Sequence, residues 1–279
     1  MSVWMSLIQG IVQGITEFLP ISSSGHLAIL QSIFSGDNEG GNLFFSVLLH
    51  LGTLISICFV YRAEIKAMLS DGVGYLRSRA DAELGEPVMM KPQGRALIFI
   101  IIGTLPMIIT VFFLGAVSRL FANVGFIGYA LLVTGGLLFV SDRYLTKGNK
   151  TEKTMTVVDA LFIGLAQAVA ILPGLSRSGA TIVAGLSRGF SGGFAVRFSL
   201  LLSIPAVVVA MIVELVRAIG AGIDFSLLPV YLVGFVVSTV IGFFAIQLVR
   251  RIIAKGGFGY FAYYCWGVGA LALILSFVL

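Results

Sequence analysis

The stretch from Gln9 to His26, QGIVQGITEFLPISSSGH, sets a carboxylate, three consecutive serines and an imidazole into otherwise apolar sequence. Gln13 and Glu17 lie one helical turn apart, so a helix stacks them on one face. A carboxylate in an apolar helix is costly unless it faces a polar cavity, which makes Glu17 a functional-site residue by default. Pro20 breaks the helix, and Ser22, Ser23, Ser24, Gly25 and His26 follow. These are parts for chemistry on a polar group, placed inside a hydrophobic protein.

A second stretch, Gly164 to Thr181, GLAQAVAILPGLSRSGAT, has the same construction. Pro173 and Gly174 stop its helix, and Ser176 or Ser178 can cap the next one. Free backbone N–H groups beside the Arg177 guanidinium make an anion site that can grip phosphate oxygens bidentately. Aligned on one another, the copies place Glu17 opposite Ile171, Ser23 opposite Arg177 and His26 opposite Ala180. The first copy holds the carboxylate, nucleophile and imidazole, and the second holds the cation.

The elements that must position these residues are membrane elements. Hydrophobic residues make up 58% and charged residues 11% of the 279, and the mean hydropathy is +1.05. That composition belongs to integral membrane proteins rather than soluble domains. Neither Trp4–Leu19 nor His26–Phe34 is comfortably long enough to span a bilayer, so together they read as a re-entrant helical hairpin with its irregular tip buried in protein or lining a cavity. The turn-rich SGDNEGGN follows, then continuous spans at roughly 43–61, 95–117 and 123–141. Tyr61 to Pro87, polar and mixed in charge, reads as a solvated surface helix without a catalytic role. The first positive charge is Arg62, so the N-terminus is expected to stay in the fold rather than act as a cleaved signal. Cys58 and Cys265, in apolar runs, read as small core hydrophobes.

The second half repeats the first. At one constant offset Gly10, Gln13, Ser22, Ser24 and Gly25 fall on Gly164, Gln167, Ser176, Ser178 and Gly179. With a shift one residue shorter, FSVLLHL from Phe45 falls on FSLLLSI from Phe198. Gly103, Phe112, Phe113 and Arg119 match Gly234, Phe243, Phe244 and Arg250; Tyr129 and Gly135 match Tyr263 and Gly269. The expected fold is therefore an all-α integral membrane protein built as an inverted-topology repeat. Residues 1–150 and 151–279 are the halves, each with one re-entrant hairpin and three full transmembrane helices, together one membrane domain. Basic residues on the loop after the first span (Arg62 to Arg95), between the halves (Arg143, Lys147, Lys150, Lys153) and near the end (Arg250, Arg251, Lys255) thread to one side, read as cytoplasmic, leaving Arg119 and Arg217 opposite. The C-terminus then faces outward. The net charge of +5 is explained by these topology signals and not by nucleic-acid binding.

QGITEFLPISSSGH resembles the Glu/Gln-x-x-x-Glu motif of bacterial undecaprenyl-diphosphate phosphatases of the bacitracin-resistance type, and PGLSRSGAT resembles their second motif. The resemblance covers essentially the whole chain. It implies a multi-pass enzyme of the bacterial cell membrane that removes the terminal phosphate of a C55 polyprenyl diphosphate, recycling the carrier of cell-wall synthesis, with its site open toward the outer face. It also implies a divalent cation, Mg2+ with Ca2+ as the alternative. The catalytic residues carried over are Ser23 as nucleophile, Glu17 as its base or a metal ligand, His26 as alternative base or leaving-group acid, and Arg177. Ser22, Ser176, Arg177, Ser178 and Thr181 would bind phosphate. The chain departs from the pattern at Gln13, where many members have Glu, so Glu17 is the one carboxylate for a metal and Gln13 a further ligand. The partners implied are the lipid substrate, membrane lipids and a second copy in a homodimer.

Plainer readings stand beside these. Ser22 and Ser24 alone read as helix-packing residues, Glu17 as a carboxylate reaching interfacial water, and His26 as bonding backbone. His50 reads as a buried hydrogen-bonding residue, and Glu214 with Arg217 as a structural pair. The rival functions are a secondary transporter or polyprenyl-phosphate flippase of the same architecture, and an acid-phosphatase-like lipid phosphatase. The latter needs a histidine after Ser176-Arg177 that the sequence does not provide.

Overall fold

The computed structural model describes residues 1–34, 39–81, 89–144, 148–254 and 257–278, of which 39–42 and 254 by backbone only. Part of SGDNEGGN, the end of the polar stretch at 82–87, Lys147 and Lys255 lie outside the described residues. Among the described residues the structure consists of helices joined by turns and short irregular stretches, with one isolated bridge between Lys150 and Phe190.

Helices α1 (Val3–Thr16) and α2 (Ser23–Phe34) form the first broken pair, followed by α3 (Glu39–Val60) and the polar α4 (Arg62–Asp81). Next come α5 (Pro92–Thr104), a 3-10 stretch Leu105–Phe113, α6 (Leu114–Phe121) and α7 (Val124–Tyr144). The second half gives α8 (Val157–Val169), α9 (Arg177–Ser187), α10 (Gly192–Ala221), α11 (Leu228–Ala254) and α12 (Phe258–Leu275). Six helical stretches are long and apolar enough to cross a membrane, beginning with Leu43–Val60, Pro92–Phe121 and Val124–Tyr144, where spans are expected. The second of these changes pitch where Pro106 supplies no donor: the Leu105 N–H bonds Ile102 and the helix tightens until Phe113. Large apolar side chains such as Trp4, Phe112 and Phe244 stand exposed, as lipid-facing residues do.

Packing is reciprocal between the halves. α1 lies on α11 while α8 lies on α5; α3 also meets α11 while α10 meets α5; α3 pairs with α10, and α7 with α12. The closest approaches use glycine. A Cβ on Gly10 would come within 2.8 Å of the Gly234 carbonyl oxygen, and one on Gly164 would run into the backbone of Gly103. The sequence repeat pairs Gly10 with Gly164 and Gly103 with Gly234, so one small-residue contact is made twice. Between the halves, Lys150 N–H donates to Gly189 O at 2.9 Å and Ser191 N–H to Lys150 O at 3.0 Å. Buried Asp159, in a capping box with Thr156, takes the Lys150 ammonium at 3.2 Å and Arg188 Nε at 2.7 Å.

Gly164→Ala is expected to lower the melting temperature in detergent, because the methyl meets backbone that cannot move away and such overpacking costs about 1–3 kcal/mol. Gly136→Ala, where nothing lies within 4 Å of the added carbon, should leave it unchanged or slightly raised. Equal melting temperatures for the two variants would show that the glycine contact does not set the α5–α8 spacing.

Candidate active site

Both broken pairs are built alike. α1 ends with Glu17 as its cap, whose N–H still bonds Gln13 O at 3.0 Å, and the chain then turns through Phe18–Ile21 around Pro20. Ser22 sits at φ +71, a left-handed backbone that costs a non-glycine residue roughly 1–2 kcal/mol. Its Oγ accepts from Gly25 N–H at 3.3 Å, and α2 starts at Ser23. In the second pair the turn passes through Gly174 at φ +92, where a Cβ would collide with Ile127 O. Ser176 Oγ accepts from Gly179 N–H at 3.1 Å, and α9 starts at Arg177. Ser23 and Arg177 therefore hold the same first position of the two returning helices.

The breaks meet in the middle of the fold. Ser178 Oγ donates to Leu19 O across them at 3.0 Å. Thr134 of α7 fastens the second break, donating to Gly174 O at 3.1 Å and accepting from Ser176 N–H at 3.2 Å. At the junction Glu17 Oε1 accepts from Arg177 Nη2 at 2.5 Å, while Oε2 accepts from Ser23 Oγ at 2.6 Å and Gln13 Nε2 at 3.1 Å. Arg177 Nη1 donates to Ser203 O of α10 at 3.1 Å. Gln13 and Glu17 are buried, whereas Ser23 and Arg177 keep partial exposure. Among the described residues the N–H groups of Ser23 and Ser24 have no partner, so the start of α2 offers donors to an anion. A carboxylate bonded to a hydroxyl, with a guanidinium on its other oxygen, can activate that hydroxyl against an anionic centre.

The structure thus brings Gln13, Glu17, Ser23 and Arg177 together. It does not bring Ser176, Ser178 and Thr181 to them as free phosphate ligands. All three are buried: Ser176 caps α9, Ser178 binds Leu19, and Thr181 Oγ1 shares a hydrogen bond with Ser199 Oγ and donates to Arg177 O. Their hydroxyls hold the breaks together in this structure. Ser22 is likewise spent on capping α2. His26 is held by other partners: Nδ1 donates to Ser22 O at 2.7 Å, which leaves Nε2 to accept from the Tyr264 hydroxyl at 2.9 Å, and the two rings stack 5.6 Å apart.

Glu214 does not pair with Arg217. Its Oε2 faces His50 Nδ1 at 3.5 Å and accepts from Ser46 Oγ at 3.1 Å, while Arg217 donates to Ser118 Oγ. Arg217 therefore turns toward α6 and Glu214 toward α3. Sequence reasoning missed Tyr264, Thr134 and the Ser203 carbonyl; only Glu214, a carboxylate in an apolar helix, carried a signal.

For a divalent cation, no group of three His, Cys, Asp or Glu converges among the described residues. The donor set that does fit is smaller. Gln13 Oε1 is buried without a partner beside Glu17. Gln167, its repeat counterpart, also leaves Oε1 unpartnered, but Ile171 stands there in place of the carboxylate. Mg2+ commonly takes few protein ligands and completes its shell with phosphate oxygens and water, which suits Gln13 with Glu17.

Comparison with known proteins finds similarity over nearly the whole chain. Residues 6–271 match the family described as bacitracin resistance protein BacA. Relatives named undecaprenyl-diphosphatase include one from Alkaliphilus metalliredigens, 39% identical over 278 residues and 99% of both chains. Another, from Carboxydothermus hydrogenoformans, is 39% identical over 282 residues, covering 99% of this chain and 98% of its own. A third, from Desulforapulum autotrophicum, is 40% identical over 283 residues and the full length of both.

Removing Arg177 alone leaves Glu17 buried without its counter-charge, a loss of about 3–5 kcal/mol for a buried pair. Arg177→Ala should therefore lower the melting temperature in detergent more than the Glu17→Gln, Arg177→Ala double variant. A double variant less stable than Arg177→Ala would show that the pair is not what holds the breaks together.

Proposed function

The chain belongs to the bacitracin resistance protein BacA family over nearly its whole length, and from that membership we propose that it hydrolyses undecaprenyl diphosphate to undecaprenyl phosphate and inorganic phosphate. Such a reaction returns a lipid carrier to cell-wall synthesis and matches the resistance in the family description. The observation that carries the site assignment is the 2.6 Å bond from Ser23 Oγ to Glu17 Oε2.

In the proposed reaction the diphosphate docks at the start of α2, and a phosphoryl oxygen takes the place of Glu17 on Arg177. Glu17, released from the guanidinium, accepts the Ser23 proton as Oγ attacks the terminal phosphorus. The bond to the bridging oxygen breaks, and undecaprenyl phosphate leaves with that oxygen. Glu17 gives its proton to the departing phosphate; in the second step it takes a proton from the water that attacks the phosphoserine and passes it to Ser23 Oγ as inorganic phosphate leaves. Arg177 and the free N–H groups at the start of α2 meet the charge that builds on the phosphoryl oxygens. A divalent cation held by Gln13 and Glu17 would neutralise phosphate charge when bound. His26, tied to Tyr264, serves as an orienting group at the edge of the site.

The reciprocal helix contacts and the alternation of basic loops support the reading of residues 1–150 and 151–279 as inverted halves with the site open toward the outer face.

Ser23→Ala should reduce phosphate release from undecaprenyl diphosphate by about 10^3-fold or more with the protein still folded. Ser178→Ala should fall mainly in thermal stability. Near-normal release by Ser23→Ala would remove the nucleophile. Arg177→Lys keeps the charge and loses the fork, and an expected drop of about 10^2-fold in kcat/KM tests the geometry. Chelation with EDTA should lower turnover and added Mg2+ restore it; turnover indifferent to EDTA would remove the cation. A cysteine placed at Lys150 should resist a membrane-impermeant thiol reagent on intact cells, and its labelling would reverse the assigned topology.

A further inference from the structure

The polar helix α4 takes no part in the reaction as drawn, and its charges are sorted by face. Arg62, Lys66, Val73 and Arg77 are spaced at whole helical turns, so they share one side of the helix, with Ile65 and Leu69 along its edge. Glu64 and Asp71 fall on the opposite side, where Asp71 pairs with Lys91 at 3.5 Å. Among the described residues Lys66 and Arg77 have no carboxylate partner, and Asp81, one turn beyond Arg77, does not pair with it. Arg62 lies over the Phe59 ring at 4.7 Å and donates to Phe59 O at 2.9 Å, which fixes its guanidinium at the start of the helix.

That face borders a cavity. Arg62, Lys66 and Arg77 line a groove of about 740 Å3 together with Ile65, Leu69 and Val73. Gly74 lines it too, and nothing lies within 4 Å of a carbon added there. A second groove, of about 520 Å3, shares Ile65 and Leu69 with the first and lies between α5 with its 3-10 continuation and α10. Ile101, Leu105, Ile108 and Pro205 are among its walls, and the hydroxyl of Thr104 is turned back to Ile100 O at 2.8 Å. Ile101, Leu105 and Ile108 are half or more exposed, on a stretch long and apolar enough to cross the membrane. The first groove therefore offers permanent cations, and the second, opening from the same two residues, offers hydrocarbon.

We propose that these joined grooves bind an anionic glycerophospholipid of the surrounding bilayer, with its phosphate in the basic groove of α4 and an acyl chain passing Ile65 and Leu69 into the groove between α5 and α10. A soluble anion would use only the first groove and an apolar peptide only the second. A charged head on a hydrocarbon chain fits both, and cations beside a membrane surface favour acidic headgroups. Ser23 and Glu17 line neither groove, so a lipid held here is not placed for reaction. The bound lipid seats α4 on the membrane surface and fills the space between α5 and α10.

Native mass spectrometry of the full-length protein, released from micelles holding equal amounts of phosphatidylglycerol and phosphatidylcholine, tests this. The unaltered protein should retain one phosphatidylglycerol in preference to phosphatidylcholine by about tenfold, as two cations at a bilayer surface give. Lys66→Gln with Arg77→Gln should cut that preference to about twofold or less, with an unchanged melting temperature in detergent because both side chains are exposed. Gly74→Phe keeps every charge and fills the basic groove, and it should lose the preference as well. Equal retention of the two lipids by the unaltered protein, or an undiminished preference in the double variant, would overturn the site. A preference kept in Gly74→Phe would reduce the effect to the surface charge of α4 and overturn the groove. Polyprenyl phosphate added in equal amount should leave the phosphatidylglycerol in place; its displacement would assign the grooves to the reacting lipid and overturn the proposal.

Discussion

The structure depends on the ion pair between Glu17 and Arg177. A carboxylate buried at the end of an apolar helix cannot stand alone, and its partner comes from the opposite half of the chain. Because the pair is made at the tips of the two broken elements, it can form only if both breaks arrive at the same depth. Gln13 and Ser23 complete the carboxylate's hydrogen bonds, and the Ser203 carbonyl fixes the far side of the guanidinium. The same bonds that satisfy a buried charge therefore place a hydroxyl against a base and a cation beside it. Stability and reactivity share one set of contacts, which is why Ser178 and Thr134, whose bonds only join the breaks, can matter as much to the site as residues that face it.

Much of this was legible in the sequence. The six spans and the two broken pairs follow from the lengths of the apolar runs and from Pro20 and Pro173. The different residues that the two breaks bring together, Glu17 and Ser23 from one and Arg177 from the other, follow from aligning the two motifs. Other features left no trace. The tightened helix after Leu105 comes from Pro106 in a run whose hydropathy is uninterrupted. Pro205 lies within α10, and the helix continues through it. The motif serines could not be sorted from sequence alone: a hydroxyl next to a proline break looks the same whether it caps a helix, as Ser22 and Ser176 do, or is left open, as Ser23 is. Glu214 and Arg217 are spaced as helical neighbours, yet each finds a partner on a different helix because tertiary contacts outweigh a weak local pair.

The two halves share their packing and divide their chemistry. The glycine contacts of Gly10 with Gly234 and Gly164 with Gly103 are duplicates, as are the serine caps at Ser22 and Ser176. Repeated contacts fix the backbone of both breaks, so substitutions at their tips can diverge without disturbing the scaffold. Ile171 in place of a carboxylate keeps the second tip neutral and leaves Arg177 free to reach across to Glu17. Two carboxylates in so small a space would have repelled each other and competed for one guanidinium.

The divergence extends one layer outward. In the second half the helix after the break packs against the following span, and Ser203 offers only its backbone carbonyl and a hydroxyl turned back to Leu200. In the first half the counterpart of Ser203 is His50, an imidazole with the Glu214 carboxylate 3.5 Å behind it. A closed contact needs no charge, since backbone groups satisfy the guanidinium. The span behind Arg177 therefore meets it with neutral groups, whereas the matching position in the first half carries an ionisable pair, so the divergence at Glu17 and Ile171 continues into the spans behind the breaks.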